Sequence, residues 1–357
     1  MQLLIPTILG AESVVRDELW NLGYRETELN NGQIFLSGAW EDIQKLNSSI
    51  RTAERVQIII GSFHARNFDD VFDQVKQLPI ADFLQADARV VVTAKSKRSI
   101  LKSEVSLQRC VKKALVENIK QSFEVTEVTE SGPTFPIQLS IFEEKALLLL
   151  DTTGEGLHRR GYREEAGTAP LKETLAATLI YLSGWDWNSP LYDPCCGSGT
   201  ILIEAAEMAA NLQAGRRREF LYTSWESAPH LSPHESLALE EINFQISGSD
   251  IDPKIIQTAT RNAGLAEVQN LINFTTTALK DADFKDGTIL SNPPYGERLK
   301  GDLKGLYRDF ARLLKQNRSL HLLTSDKDVE KFIGRPASKR RKLSNGGMEV
   351  SLYSWHN

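Results

Sequence analysis

LYDPCCGSGT, residues 191–200, decides the reading of this chain. Leu191 and Tyr192 read as the end of a buried strand, and Asp193 follows. Gly197 and Gly199 make a Gly-x-Gly turn, and ILIEAAEMAA (201–210) opens a helix with apolar periodicity. A strand–turn–helix of this kind holds an adenosyl cofactor, because glycines turn tightly and leave no Cβ between loop and ligand. Such turns also occur for packing reasons, so the turn does not stand alone. Its weight comes from a second stretch downstream, TILSNPPY at residues 288–295, where another strand ends in Asn292-Pro293-Pro294-Tyr295.

Composition bounds what surrounds this pair. At 357 residues the chain calls for two or three domains. A hydrophobic share of 41% and a charged share of 25% are those of a soluble globular protein. The net charge is −5, so any nucleic-acid binding must come from local basic patches. The three cysteines, Cys110, Cys195 and Cys196, are odd in number and two are adjacent. That argues for a reducing cytoplasm over a disulfide framework. There is no Cys-x-x-Cys spacing, and no metal is expected. The longest apolar run, ALLLL at 146–150, suits a buried strand and is too short for a membrane span. MQLLIPTILG at the start lacks a basic region and is broken by Pro6, so no signal peptide is expected.

Three units are expected along the chain. Residues 1–62 read strand, helix, strand, strand, helix, strand, with Asn30-Asn31-Gly32 as a hairpin turn, which is the ferredoxin-like pattern. Residues 63–155 add a helix through Phe68–Leu78, a buried strand at Arg89–Ala94, a long helix at Ser103–Phe123 and two paired strands, 136–142 and 145–151. Lys95, Lys97, Arg98, Lys102, Arg109, Lys112 and Lys113 crowd the strand-to-helix junction of this unit. They read either as a solvated helix face or as a phosphate-binding surface for RNA. A charged, glycine-rich linker at 156–169 follows, with Arg159, Arg160 and Arg163 as a second cluster. From 170 to 357 strands and helices alternate, which predicts a doubly wound parallel sheet with an antiparallel edge hairpin around Asn345-Gly346-Gly347. Residues 211–241 read as a polar excursion from that pattern.

DPCCGSGT, SDID (249–252) and SNPPYGERL (291–299), in that order, resemble the class I S-adenosylmethionine-dependent amino methyltransferases. RTAERV (51–56) and the KSK…SLQRCVKKAL stretch (95–115) resemble a THUMP RNA-binding domain. LDTTGEGLHRRGYR (150–163) and APLKETLAA (169–177) resemble the join that follows it. Nearly the whole chain is thus similar to the THUMP-containing guanine-N2 RNA methyltransferases acting on bacterial large-subunit ribosomal RNA. The fold this implies is α/β: a Rossmann-like class I methyltransferase domain preceded by α+β ferredoxin-like and THUMP domains.

The resemblance assigns roles. S-adenosylmethionine is the expected cofactor, and RNA, with 23S ribosomal RNA foremost, the expected partner; no membrane is involved. Asp193, Pro194, Cys195, Gly197, Ser198, Gly199 and Thr200 would cradle the methionine part, with Asp193 toward the α-ammonium. Asp250 would accept both ribose hydroxyls, with Ile251 beside it at the cofactor, while Asp252 caps the helix beginning at Pro253. After the third strand the family carries an acidic residue for the adenine amine, but Ala278 falls there. Either Asp281 serves from a re-registered loop or backbone groups hold the adenine.

Asn292, Pro293, Pro294 and Tyr295 would form the catalytic tetrad. An exocyclic base amine is a poor nucleophile because its lone pair is delocalised into the ring. Acceptors at the Asn292 side chain and the Pro293 carbonyl would favour its pyramidal form in the transition state. Tyr295 would stack on a base taken out of its helix. The tetrad does not separate guanine N2 from adenine N6, since both are exocyclic amines. A transfer-RNA substrate, and an assembly factor that has lost its activity, also remain open.

Overall fold

The computed structural model describes residues 1–163, 171–231, 243–294 and 302–357. Two seven-stranded sheets carry it. The first begins with β1 (Gln2–Pro6), α1 (Glu12–Asn21), β2 (Thr27–Asn30), β3 (Gln33–Ser37), α2 (Trp40–Ser49) and β4 (Gln57–His64). The expected ferredoxin-like order is met: β2, β3, β1 and β4 lie side by side, each pair antiparallel.

The second unit does not make its own sheet. After α3 (Phe68–Gln77) come β5 (Arg89–Lys97), α4 (Glu104–Ser122), β6 (Thr134–Phe142) and β7 (Lys145–Asp151). β7 pairs along β4, so the sheet runs on without a break as β2-β3-β1-β4-β7-β6-β5. The reason lies in β4, which at eight residues is longer than the apolar run Val56–Ile60 suggested; its first residues pair with β1 and its whole length with β7. β5 differs from its reading as a buried strand. It is the edge strand, parallel to β6, and its side chains alternate between core and solvent. Val90 and Ala94 point inward, while Lys95 and Lys97 stand exposed.

The C-terminal domain is built from α5 (Glu173–Ser183), β8 (Leu191–Asp193), α6 (Thr200–Ala209), β9 (Ile246–Asp250), α7 (Pro253–Leu265) and β10 (Ile272–Thr276). It continues with β11 (Thr288–Ser291), α8 (Leu303–Leu314), β12 (Ser319–Thr324), α9 (Val329–Ile333), β13 (Lys339–Asn345) and β14 (Met348–His356). The strand order is β10-β9-β8-β11-β12-β14-β13, with the first five parallel and the β13–β14 hairpin antiparallel. The order reverses between β8 and β11, and it is at such switch points that open α/β sheets place their ligands. Among the described residues no helix is long and apolar enough to cross a membrane.

The described residues of the linker, 156–163, and of the polar excursion, 211–231, take part in the packing. Thr152, Thr153, Leu157, Arg160 and Tyr162 are buried. Phe220, Tyr222 and Trp225 leave the C-terminal domain and enter the core of the first sheet, where Trp225 stacks on Phe135 at 4.7 Å and donates to the Thr134 carbonyl at 3.0 Å. Beneath this strap, α6 presents Glu204 and Glu207, neither exposed at all. Arg51 from the first unit reaches both at 3.3 Å, Arg160 reaches Glu204 at 3.2 Å, and Arg216 and Arg217 reach Glu207 at 2.8 and 2.6 Å. Four cations thus surround two buried carboxylates, and Arg51, whose carbonyl also accepts from Arg160 at 2.6 Å, ties the cofactor-side helix to the N-terminal half.

Candidate functional site

β8, β9 and β11 end side by side, and their last residues build the site. Asp193 closes β8, almost fully buried. Its Oδ1 accepts the Cys195 amide at 3.1 Å and the Ser291 hydroxyl at 2.6 Å. Burial pushes the Asp193 carboxyl up to about 7; the Ser291 and Cys195 bonds pull the other way, and the Asp250 charge adds to the rise. A desolvated carboxylate short of positive charge is a place for a cation. An α-ammonium group fits that need.

The glycine turn divides its labour. Gly197 has φ +53°, and a Cβ there would meet nothing within 4 Å, so this glycine borders open space. Gly199 has φ +83°, and its Cβ would lie 3.1 Å from Phe274 and 3.2 Å from Ala259. It is a packing glycine, required where α6 crowds β10 and α7. The first is the one that leaves room for a ligand. Asp250, at the end of β9, accepts the Gly197 amide on Oδ2 at 3.1 Å and the Asp252 amide on Oδ1 at 3.1 Å. Its carboxylate therefore ties the two loops together. Asp252 caps α7 through the Lys254 amide at 2.8 Å, as expected.

Pro194, Ser198, Thr200 and Ile251 lie on the same two loops, while no contact ties Asp281 to them among the described residues. Pro194 is buried under the turn, Ser198 is half-buried, and Thr200 opens α6. The first turn of α6 directs its amides toward the loop, the arrangement that favours a carboxylate. Ile251 stands 74% exposed beside Asp250, an apolar side chain with nothing covering it. Asp281 lies exposed on the single turn Leu279–Asp281 that follows β10. The thiols of Cys195 and Cys196 are raised well above their ordinary value, mainly by burial and further by Asp193 and Asp250. Both stay protonated at neutral pH, so neither is a nucleophile.

Asn292 follows β11 directly. Its Oδ1 is shielded from solvent and has no hydrogen-bond partner among the described residues. Leaving a buried acceptor unpaired costs about 1–3 kcal/mol, which marks it as a group awaiting a donor. Pro293 is buried and Pro294 exposed; Tyr295 lies outside the described residues.

The basic residues separate into surface and interior. Lys95, Lys97, Arg98, Arg109, Lys113 and Arg159 are exposed. Arg98 pairs with Glu143 at 3.2 Å and lies over the Phe142 ring, and Lys113 lies over Phe72. Lys112 donates to the Val90 carbonyl at 2.6 Å and pairs with Glu130, which fastens α4 to β5. Arg160 and Arg163 correct the expectation of an RNA-facing arginine cluster. The Arg160 side chain is 1% exposed and spent on Glu204. Arg163 donates to Thr200 Oγ1 at 2.6 Å and pairs with Glu173 at 3.2 Å, bracing the start of α6.

Several residues at the site carry no local sequence signal. Ser291 bridges β11 to Asp193, Asn262 donates to the Ser198 carbonyl at 3.1 Å, and Tyr192 and Ser249 share a hydroxyl bond of 2.6 Å. Arg312 donates to the carbonyls of Leu279, Lys280 and Ala282 at 3.0–3.1 Å, pinning the turn that carries Asp281. Each is polar, unremarkable in its own stretch and significant only through its distant partner.

Comparison with known proteins fits this division. The model of the RMKL-like methyltransferase domain matches residues 160–354, the RlmL ferredoxin-like domain 2–57 and the THUMP domain 65–151. The chain is 38% identical to "Putative RNA methyltransferase YpsC" of Bacillus subtilis (strain 168), over 97% of this chain and 94% of that one. It is 33% identical to "Ribosomal RNA large subunit methyltransferase K/L" of Aliivibrio fischeri (strain MJ11), over 96% of this chain and 51% of that one. The chain therefore spans about half the length of the K/L relatives it matches. Among solved structures, SMU.472, described as "a putative methyltransferase complexed with SAH", superposes with a TM-score of 0.91 at 35% identity, covering 100% of this chain and 98% of that one.

Proposed function

The chain belongs to the RMKL-like methyltransferase family, and on that premise we propose that it methylates the exocyclic N2 amine of a guanosine in structured RNA, with 23S ribosomal RNA the leading substrate. The methyl donor in this reading is S-adenosylmethionine, whose sulfonium supplies an electrophilic methyl and leaves as a neutral thioether. The observation that carries the reading is the shielded, unpartnered Oδ1 of Asn292. It follows β11, next to β8 and the glycine turn, where a base amine would meet the methyl group.

The chain's own residues have distinct tasks. Asp193 and the amides of the glycine turn hold the amino-acid end of the donor, and Asp250 takes the ribose hydroxyls. Ile251 offers its exposed side chain to the adenine face. Asn292 Oδ1 and the Pro293 carbonyl accept the two N–H bonds of the target amine. That restrains the lone pair out of conjugation and aims it for in-line attack. The N–C bond forms as the S–C bond breaks, and the amine proton passes to solvent. The exposed Lys95, Lys97, Arg98, Arg109 and Arg159 neutralise phosphates of the bound RNA.

The test is transfer of a labelled methyl group to RNA from a strain lacking the gene, with ribosomal and transfer RNA kept apart and products resolved as nucleosides. Label in N2-methylguanosine from large-subunit RNA supports the proposal in full. Label in N6-methyladenosine, or in transfer RNA alone, keeps the chemistry and discards the substrate.

A further inference from the structure

α6 starts from Gly199, and no side chain caps its first turn. The amides there lack the partners that a helix start needs. Its first side chain, Thr200, is instead held from outside. Arg163, at the end of the described linker, directs Nη2 at Thr200 Oγ1, 2.6 Å away. The same nitrogen lies 3.4 Å from the Leu171 carbonyl and 3.2 Å from Glu173 Oε1. Glu173 opens α5, and both it and Thr200 are buried. The guanidinium is thus fixed between the starts of two helices.

We propose that Arg163 is a positioning residue for S-adenosylmethionine, which turns the Thr200 hydroxyl into a donor to the carboxylate of the cofactor. This rests on the placing, above, of the cofactor's amino-acid end at the glycine turn. A guanidinium has donors only, so Thr200 Oγ1 accepts in the bond with Arg163. Its own proton is left to point elsewhere. The Ser198 hydroxyl stands 3.5 Å away, too far for a strong bond. A carboxylate seated at the first turn of α6 supplies the missing acceptor. Without Arg163 the hydroxyl is free to rotate, and binding must then order it. Arg163 acts through Thr200 and stays one side chain removed from the ligand.

The test compares two ligands, S-adenosylhomocysteine and its decarboxylated analogue, which keeps the ammonium and lacks only the carboxylate. Calorimetry gives the ratio of their Kd values for each variant. The wild type should prefer the carboxylate by about a hundredfold or more, since a site built to bond a group rejects the analogue lacking it. In Arg163→Ala that preference should fall by about tenfold, the effect of weakening one hydrogen bond to a charged group. The Kd of the decarboxylated ligand should hardly move. Thr200→Val should show the same fall, and adding Arg163→Ala to it should cost nothing more. An arginine that served the fold alone would weaken both ligands alike. Equal losses on both ligands, an unchanged ratio, or losses that add in the double variant overturn the role of Arg163 and leave the cofactor where it is placed. A wild type with no preference for the carboxylate overturns the placing of the amino-acid end at the glycine turn, and the role of Arg163 with it.

Discussion

The Ser291 hydroxyl donates to Asp193 Oδ1 at 2.6 Å, joining the end of the strand that carries Asn292 to the end of the strand that carries the cofactor loop. One hydrogen bond thus spans the two half-sites. Because this bond holds the Asp193 carboxyl lower than burial alone would, it also sets the pH range of the site. If Asp193 must be ionised to meet the donor's ammonium, cofactor affinity should fall up to about tenfold per unit below pH 7 and level off above it. Ser291→Ala should move that inflection upward. Calorimetric titration from about pH 5.5 to pH 8.5 would measure it, and a flat profile would show that Asp193 does not take the ammonium.

The same raised carboxyl governs stability without cofactor. Its folded value, about 7, lies above the ordinary 3.8. Its contribution is therefore fully present below about pH 3.8 and lost as pH rises through about 7. Asp193→Asn should remove that component, so the difference in Tm between variant and wild type should grow with pH across this window. A constant difference would place the proton elsewhere.

Asn292→Ala should leave cofactor Kd within a few-fold of wild type and lower kcat by about a hundredfold to a thousandfold, the effect of removing one transition-state acceptor. Single-turnover transfer alongside calorimetry separates the two. Equal losses in both would show that the residue serves the fold.

Glu204→Ala should destabilise the protein by about 3–5 kcal/mol, because it leaves Arg51 and Arg160 buried without their shared carboxylate. Urea unfolding would read this as a lower midpoint. A loss under about 1 kcal/mol would mean that the arginines find other partners.

Replacing Lys95, Lys97, Arg98 and Arg109 together by Gln should weaken RNA binding and flatten its dependence on log salt, by about 0.7–0.9 for each phosphate left without its cation. Thermal stability should hardly change, since all four are exposed. An unchanged salt slope would make this face mere solvated charge.

The readable parts of this protein were those whose partners are close in sequence. Gly197, Asp252 and the β13–β14 turn each answer to a local backbone need, and that need is written in the neighbouring residues. Arg160 and Arg163 looked like surface because their carboxylates, Glu204 and Glu173, come from other elements. A clue was present: two glutamates in the otherwise apolar ILIEAAEMAA require cations from somewhere, and a glycine-rich stretch with three arginines supplies one. Phe220, Tyr222 and Trp225 were similarly marked as aromatics inside a polar excursion. Their spacing follows neither helix nor strand, so periodicity could not reveal that they fill a distant core. The fusion of the first two units into one sheet was hidden in β4, whose two edges are occupied by β1 and β7, the first and last strands of that half.

The lock on α6 has a metric consequence. With Arg51, Arg160, Arg216 and Arg217 closed around Glu204 and Glu207, and the Trp225 strap seated in the opposite core, the first sheet and the catalytic strand ends are held at one separation. Under the proposed function, a substrate held on the outer face of the first sheet would meet Asn292 only if its reactive base lay at that reach. The joint would then act as a ruler, choosing among chemically identical bases by their distance from the grip.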